Sequence, residues 1–319
     1  MTPESVNANL GLWAETAGGV AILINLSENH TFRIDMPDGE RFILRVHRPG
    51  YQSAASIESE LEWLAFLRAE TTLPVPVTLP GRDGRLVQSL KNAGEASRYA
   101  VLFAHEPGSE PHPADDLGDL FATLGRFAAI AHNHATAFKP SAGFTRQVWT
   151  AESVLDSGGL WGDWRKAPHV FGRVAETLVT LDHRLRLDLA AYGRNTVNFG
   201  LIHADMRLAN LLVEGEHVTL IDFDDCGFCW FMYDFAAAIS FFEDSPQIPA
   251  LRMRWLEAYT RIRALSPADL AIIDTMILLR RMALLAWIAS HHETELAKAH
   301  AGNFARVTAQ LAMPYLTRR

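Results

Sequence analysis

Cysteine is nearly absent from this chain. Its 319 residues include two, Cys226 and Cys229, which form a Cys-x-x-Cys pair. A zinc site would need two more nearby ligands, and a redox motif would need a thioredoxin-type strand before it. Neither context is present, so we predict two half-buried thiols. A signal peptide is also absent from the N-terminus, so we expect a cytoplasmic protein.

Long hydrophobic runs and excess positive charge are lacking as well. The longest apolar stretch, 270–290, is interrupted by Asp274, Arg280 and Arg281, which predicts a buried helix or helix pair and not a membrane span. Lysine and arginine number 29 against 37 acidic residues, a formal net charge of −8. Nonspecific nucleic-acid binding needs a basic face. We therefore expect neither nucleic acid nor membrane as a partner, and the oligomeric state stays open.

What the chain has is apolar content for sizeable cores, 49% of its residues. Apolar runs at 20–26, 31–35 and 42–47 predict a three-stranded antiparallel meander. Residues 54–70 fit a helix, because apolar residues recur at helical spacing. Further strands follow up to about residue 105, and the remainder is mostly helical, with an irregular segment at 143–168. The prediction is an α+β protein with one part at 1–105 and another at 106–319.

Two polar clusters lie in the stretch 201–234, on either side of a predicted strand hairpin. The first is His203-Ala-Asp205-Met-Arg207-Leu-Ala-Asn210, and the second is Asp222-Phe-Asp224-Asp225. A hairpin brings its outer ends together, so we expect Asp205, Asn210 and Asp222 to converge. Two carboxylates and an amide oxygen suit Mg²⁺ and a hydroxyl nucleophile.

The pattern His-x-Asp-x-x-x-x-Asn, followed twelve residues later by Ile-Asp-Phe-Asp, resembles the active-site signature of the aminoglycoside phosphotransferase and choline kinase superfamily. The resemblance extends to the small first part, the Glu-Pro-Gly at 106–108 and the Tyr-Asp-Phe-Ala at 233–236. It implies a bilobal protein-kinase-like fold, with ATP and Mg²⁺ between a nucleotide-binding lobe and a catalytic and acceptor-binding lobe. The implied reaction transfers the γ-phosphoryl group to a hydroxyl of a small molecule.

The resemblance also implies roles for residues of the first cluster and for the acid that follows the hairpin. Asp205 matches the catalytic base, and Asn210 and Asp222 match the metal ligands. Arg207 is expected to neutralise the γ-phosphate. His203 is expected to orient the loop and not to transfer protons.

Two further aspartates have implied roles. Asp234 resembles the helix acid that holds the backbone of the catalytic loop. Asp224 would point the same way as Asp222 in an extended segment, which favours it as a further metal or substrate ligand. Hydrogen bonding of Asp224 within its own loop is equally open.

The first part supplies the expected nucleotide contacts. Residues 26–32 take the place of the phosphate-covering loop, although they lack Gly-x-Gly-x-x-Gly, and Ser27 and Asn29 are candidates there. The adenine-facing segment is predicted at 101–106, with Phe103 and His105 as neighbours of the base.

Arg45 is the main departure from the family pattern, which usually has a lysine on this strand. Arginine can also contact phosphate oxygens, with a broader planar head. Glu60 is its expected partner and Glu58 the second choice. The alternative is that both glutamates lie on a solvated helix face.

Other features have open readings. Trp149, Trp161 and Trp164 either contribute to an acceptor pocket, stacking on a sugar or covering a cationic head group, or pack in the core. His132 is expected to have a satisfied packing role.

Alternative functions are a stress-response-type protein Ser/Thr kinase and a nucleotide-binding pseudokinase. The absence of a long activation segment disfavours the first. The retained Asp205, Asn210 and Asp222 argue against the second.

Overall fold

The computed structural model describes residues 1–26, 29–91 and 96–318. They fall into two compact units. The first comprises 1–109, 139–146 and 212–224, and the second comprises 110–138, 147–211 and 225–319. The chain therefore returns twice to the first unit. The predicted assignment of nucleotide binding to 1–105 and of catalysis to 106–319 stays a prediction.

An antiparallel sheet dominates the first unit. Its strands are β1 (Val20–Leu26), β2 (His30–Asp35), β3 (Arg41–Val46), β4 (Thr78–Leu79), β5 (Gln88–Leu90) and β6 (Arg98–Ala104). The spatial order is β1-β2-β3-β6-β4, and β5 pairs with β6. The predicted meander of the first three strands is confirmed, because each pairs antiparallel with the next.

Among its described residues, the first unit contains the α-helices α1 (Pro3–Asn7) and α2 (Ala54–Glu70). The side chain of Ser53 caps α2 by accepting a hydrogen bond from the Ser56 N–H at 3.1 Å. The predicted apolar positions of α2 are all buried, namely Ile57, Leu61, Leu64 and Leu67. The predicted helix over 54–70 is thus confirmed.

The second unit is mostly helical. Its helices are α3 (Gly118–Ala137), α4 (Ala151–Leu155), α5 (Gly172–Tyr192), α6 (Tyr233–Ala238), α7 (Ile248–Thr260), α8 (Pro267–Ala271), α9 (Ile273–Ser290), α10 (Glu295–Ala301) and α11 (Phe304–Thr317). Part of the segment expected to be irregular is ordered, because Thr150 and Ser153 form a capping box that starts α4.

Short strands make up the rest of the sheet structure in the described part of the chain. They are β7 (Gln147–Val148), β8 (Phe199–Ile202), β9 (Leu211–Glu214), β10 (His217–Leu220) and β11 (Gly227–Trp230). Strands β9 and β10 form the predicted hairpin, with Gly215 in the left-handed region at φ 60°. Strand β11 pairs with β7 and β8 in a separate sheet. Cys226 and Cys229 lie at this sheet as thiols and are fully buried, deeper than the half-buried prediction.

Most of the apolar stretch at 270–290 forms the single long helix α9, and only 270–271 belong to the end of α8, so the long-helix alternative of the prediction is confirmed and not the helix pair. Within the described ranges, no helix is long and apolar enough to span a bilayer. Arg280 and Arg281 lie in α9 and are both buried.

Candidate active site

In the first unit, Arg45 of β3 and Glu60 of α2 form a buried ion pair. Arg45 Nη2 lies 2.7 Å from both carboxylate oxygens of Glu60. Side-chain exposure is 7% for Arg45 and 1% for Glu60. Glu58 is exposed to solvent. The prediction of Glu60 as the partner is therefore confirmed, and the solvated-face alternative for Glu60 is wrong, because this position of α2 faces the interior.

The electrostatics of the pair reflect burial and charge in competition. Burial alone would lower the pKa of Arg45, but Glu60, Asp224 and Asp222 raise it overall. Burial raises the pKa of Glu60, and Arg45 opposes that rise. Arg45 Nη1 also lies 3.3 Å from Asp222 Oδ1, so the guanidinium bridges two carboxylates.

Asp222 and Asp224 have different environments. Asp222 has φ 60°, so the segment is not extended there and strand-like alternation does not apply. The Asp222 side chain is 48% exposed, whereas that of Asp224 is 7% exposed. Asp224 Oδ2 accepts a hydrogen bond from Asn29 Nδ2 at 2.8 Å. The condition that favoured Asp224 as a ligand is not met, and its metal role stays a prediction.

The other predicted nucleotide contacts have varied surroundings. Asn29 commits its amide nitrogen to Asp224, and Phe103 lies with its ring centroid 5.2 Å from the guanidinium carbon of Arg45. His105 follows the end of β6 and is half-buried. Ser27 lies outside the described residues. Contact of any of these with a nucleotide stays a prediction.

In the second unit, a loop that follows β8 carries His203, Ala204 and Asp205. Ala204 has φ 65°, an uncommon conformation for a residue with a side chain. Asp234 of α6 stabilises it by accepting hydrogen bonds from the Ala204 N–H at 2.8 Å and the His203 N–H at 3.4 Å. The predicted role of Asp234 in holding the loop backbone is confirmed.

His132 of α3 supports Asp234 in turn. Its Nε2 lies 3.0 Å from Asp234 Oδ2 and its Nδ1 lies 2.9 Å from the Tyr259 hydroxyl. Burial lowers the pKa of His132, although Asp234 opposes the shift. A neutral ring that donates to Asp234 and accepts from Tyr259 satisfies both contacts. The predicted satisfied packing role is confirmed, but the connection to the catalytic loop was not foreseen.

Asp205 is surrounded by donors. Asn210 Nδ2 donates to its Oδ2 at 2.7 Å and to its carbonyl oxygen at 2.8 Å, and Arg207 Nε donates to Oδ2 at 3.2 Å. Arg280 Nη2 donates to its Oδ1. Burial would raise the pKa of Asp205, but Arg280 and then Arg207 outweigh it, so the pKa lies below its usual value. The carboxylate is thus ionised and ready to accept a hydrogen bond.

His203 and Asn210 orient this loop. His203 is buried, and its Nδ1 accepts a hydrogen bond from the Asp205 N–H at 3.2 Å. This contact agrees with the expected orienting role. Because the Asn210 nitrogen donates to Asp205, its amide oxygen is the atom suited to a hard cation such as Mg²⁺.

The three tryptophans of the irregular segment are mostly core residues. Trp149 and Trp164 are 1% and 0% exposed, and Trp161 is 7% exposed. Trp161 lies 5.1 Å, centroid to guanidinium carbon, from Arg280, so this ring already faces a cation from the protein itself. The core-packing alternative holds for Trp149 and Trp164.

Sequence reasoning did not identify Arg280 as part of this site. Its signal was a charge within an apolar helix, which is costly unless it is paired. That signal could have marked Arg280 as a residue with a buried partner. It could not have named the partner.

Comparison with known proteins assigns the chain to a family. Residues 22–270 match the phosphotransferase enzyme family (APH), and the chain belongs to this family. A solved structure of a microcompartment-associated aminopropanol kinase is 38% identical, covers 98% of this chain and 97% of its own, and superposes with a TM-score of 0.90.

Three other relatives are more distant. Amicoumacin kinase of Bacillus subtilis (strain 168) is 26% identical over 81% of this chain and 76% of its own length. A solved amicoumacin kinase, hAmiN, in complex with AMP-PNP, Ca²⁺ and Ami has the same fold, with 19% identity, coverage of 97% and 94%, and a TM-score of 0.78. Stress response kinase A of Salmonella choleraesuis (strain SC-B67) is 22% identical over 83% of this chain and 76% of its own.

The predicted fold and reaction class are confirmed by these matches. The chain has a protein-kinase-like α+β fold and is a phosphotransferase. It is similar to small-molecule kinases, one of which is solved with AMP-PNP and Ca²⁺.

Proposed function

We propose that this chain phosphorylates the hydroxyl group of a small amino alcohol of the aminopropanol type. The observation that carries this proposal is the 38% identity to an aminopropanol kinase over 98% of the chain. Sequence identity at this level over nearly the whole chain supports a shared acceptor class more strongly than the fold does.

We assign the chemical roles as follows. Asp205 accepts the hydrogen of the acceptor hydroxyl, which its ionised state supports. Asn210 and Asp222 are each assigned as a residue that would hold Mg²⁺. Each fits this ion, because Asn210 commits its amide nitrogen to Asp205 and so has its amide oxygen as the ligand atom, and Asp222 presents a half-exposed carboxylate. When bound, the ion neutralises charge on the phosphates.

Two arginines are assigned to the phosphates. The Arg207 side chain is 26% exposed, so its guanidinium can leave the Asp205 carboxylate and bind a phosphate oxygen instead. Arg45 is fixed by Glu60 and carries the charge that the family usually supplies with a lysine. The charge is retained, which argues against a pseudokinase. The roles of Asp224, Ser27, Asn29, Phe103 and His105 stay predictions.

An acceptor screen tests the proposal. With MgATP, we expect 1-amino-2-propanol to give a higher kcat/KM than any of the other acceptors in the screen. These are ethanolamine, choline, homoserine, kanamycin and casein. The matched control is 2-propanol, which has the hydroxyl but no amine, and we expect it to give at least about tenfold less because an amine-binding group would be left unpaired. Phosphorus NMR of the product identifies the O-phosphate.

Asp205→Ala is the inactive reference in the screen. We expect turnover to fall by about 10²–10⁴-fold, while nucleotide affinity measured by calorimetry changes little. A higher kcat/KM for kanamycin than for 1-amino-2-propanol would reject the proposal that the acceptor is a small amino alcohol. Higher kcat/KM for casein would favour a protein kinase, the second candidate that the similarity to Stress response kinase A supports.

A further inference from the structure

Arg280 is a buried cation at the centre of the catalytic part of the second unit. Its side chain is 1% exposed. The three groups that it bonds come from two segments. In the catalytic loop, Nη2 donates to Asp205 Oδ1 and Nη1 to the Ala204 carbonyl oxygen at 3.3 Å, and beyond α6, Nε donates to Ser240 Oγ at 2.9 Å. These contacts fix the guanidinium in one orientation.

Aromatic rings complete its surroundings. The guanidinium carbon lies 5.1 Å from the ring centroid of Trp161 and 5.9 Å from that of Tyr233. Both distances are within the range of cation–π attraction. A buried guanidinium is costly without a carboxylate, and a buried carboxylate is costly without a cation, so Arg280 and Asp205 depend on each other.

Asp205 is contacted by a second arginine of a different kind. Arg207 reaches Oδ2 through Nε at 3.2 Å, is 26% exposed, and lies two residues along the same loop. Arg280 binds the opposite oxygen, Oδ1, from helix α9. One arginine is thus locked in the interior and the other is partly in solvent.

We propose that Arg280 is a positioning residue that holds the Asp205 carboxylate by Oδ1 throughout the reaction and so presents Oδ2 to the acceptor hydroxyl. In this scheme, Arg207 moves from Asp205 Oδ2 to the nucleotide phosphates when the nucleotide binds, whereas Arg280 remains bound to Oδ1. The inference rests on the proposed role of Asp205.

The expected effect follows from geometry. Arg280 at Oδ1 and Asn210 Nδ2, which donates to Oδ2 at 2.7 Å, together restrain rotation of the Asp205 carboxylate, and Arg280 is the charged one of the two. Small misplacements of a reacting group cost about 10²-fold in rate. Arg280 does not touch the nucleotide in this scheme. Its loss should therefore lower kcat and leave KM for ATP nearly unchanged.

Neighbouring residues of α9 provide the test and its control. Arg281 is also buried, at 2% side-chain exposure, and pairs with Glu243 at 2.5 Å instead of with the catalytic loop. We would compare Arg280→Met, Arg280→Lys and Arg281→Met. The measurements are kcat and KM with MgATP and 1-amino-2-propanol, together with the melting temperature of each variant, at a temperature at which all are folded.

We expect Arg280→Met to lower kcat about 100-fold with KM for ATP within about threefold of wild type. Arg280→Lys restores the charge but not the three-way contact, and we expect an intermediate kcat. Arg281→Met should lower the melting temperature as much as Arg280→Met but keep kcat within about threefold.

Three results would overturn the inference. They are a wild-type kcat in Arg280→Met, an equal loss of kcat in Arg281→Met, and unfolding of both Arg280 variants where Arg281→Met stays folded. If wild-type protein does not phosphorylate 1-amino-2-propanol, the proposed acceptor is wrong. The comparison is then made on ATP hydrolysis by water, where the same ratios are expected, so the two failures are distinguishable.

Discussion

Arg45 has two carboxylate partners that differ in burial. Glu60 is almost fully buried at 1% side-chain exposure, whereas Asp222 is 48% exposed. A buried charge that loses its partner is strongly destabilising, while an exposed one is readily solvated. The contribution of Arg45 to stability therefore comes mainly from its pair with Glu60. Its contribution to function is expected to come from its contacts with Asp222 and with a nucleotide phosphate.

We expect Arg45→Met to lower the free energy of unfolding by about 3–5 kcal/mol, because Glu60 is left buried and unpaired. The double variant Arg45→Met/Glu60→Leu should recover most of that loss but no phosphotransfer activity. Urea unfolding and turnover with MgATP measure the two effects.

Arg33→Met is the control for this prediction. Arg33 and Asp35 both lie on β2, the strand next to that of Arg45, and they form an ion pair in which both side chains are about one-third exposed. Its loss should cost at most about 1 kcal/mol. Equal destabilisation by Arg33→Met and Arg45→Met would contradict the assignment of stability to the buried pair.

At the scale of elements, three helices and one loop are joined by a chain of hydrogen bonds. His132 of α3 contacts Tyr259 of α7 and Asp234 of α6, and Asp234 holds the loop backbone at Ala204. Helices α3 and α7 also approach closely, since a Cβ at Gly125 would lie 2.2 Å from the carbonyl oxygen of Trp255. The catalytic loop therefore depends on helix packing that lies outside its own sequence.

This chain of contacts predicts a pH dependence. His132 has a pKa below its ordinary 6.5 in the folded protein because it is buried. The unfolded chain takes up this proton near pH 6.5 and the folded one does not, so the stability is fully present above that pH and falls as pH drops. The slope contributed by one such group is up to about 1.4 kcal/mol per pH unit.

His132→Gln tests the pH prediction. A glutamine can donate to Asp234 and accept from Tyr259 as the neutral ring does, but it does not titrate. Between pH 7 and pH 5, the free energy of unfolding of the variant should fall less steeply with decreasing pH than that of wild type. The difference in slope should correspond to the uptake of up to one proton on unfolding. Parallel curves would show that His132 takes up its proton equally in both states.

At the scale of the whole molecule, nucleotide binding should appear as stability. At a MgATP concentration about 100 times its dissociation constant, binding adds about 2.7 kcal/mol. For a chain of this size we expect the melting temperature to rise by about 4 °C. Differential scanning fluorimetry with MgATP, with ATP plus EDTA, and without nucleotide measures the shift.

Asp222→Ala should remove the Mg²⁺-dependent part of that shift, because it takes away a proposed metal ligand. Glu216→Ala is the matched control, since Glu216 is an exposed acid in the turn of the adjacent hairpin β9–β10. The assignment of Asp222 as a metal ligand is rejected if the Asp222→Ala variant keeps the full wild-type difference in melting temperature between MgATP and ATP plus EDTA.

The predictable parts of this protein are those that local sequence specifies. The meander β1–β3, helix α2 and the hairpin β9–β10 follow from apolar spacing and turn residues, and the residues of the catalytic loop follow from a short motif. The short helix α4 was missed, because a single turn with its own capping box has no extended periodicity. Asp224 was expected to point with Asp222, and the left-handed backbone at Asp222 is not visible in residue types.

The sequence by itself determined the reaction class, since Asp205, Asn210 and Asp222 occur at family spacing. Only the tertiary structure decided which groups surround them. Arg280 bonds Asp205 across 75 positions of the chain, and His132 bonds Asp234 across 102. Such pairs form because burial of a charge or a polar ring requires a partner, and the fold, not the local sequence, selects which partner is near.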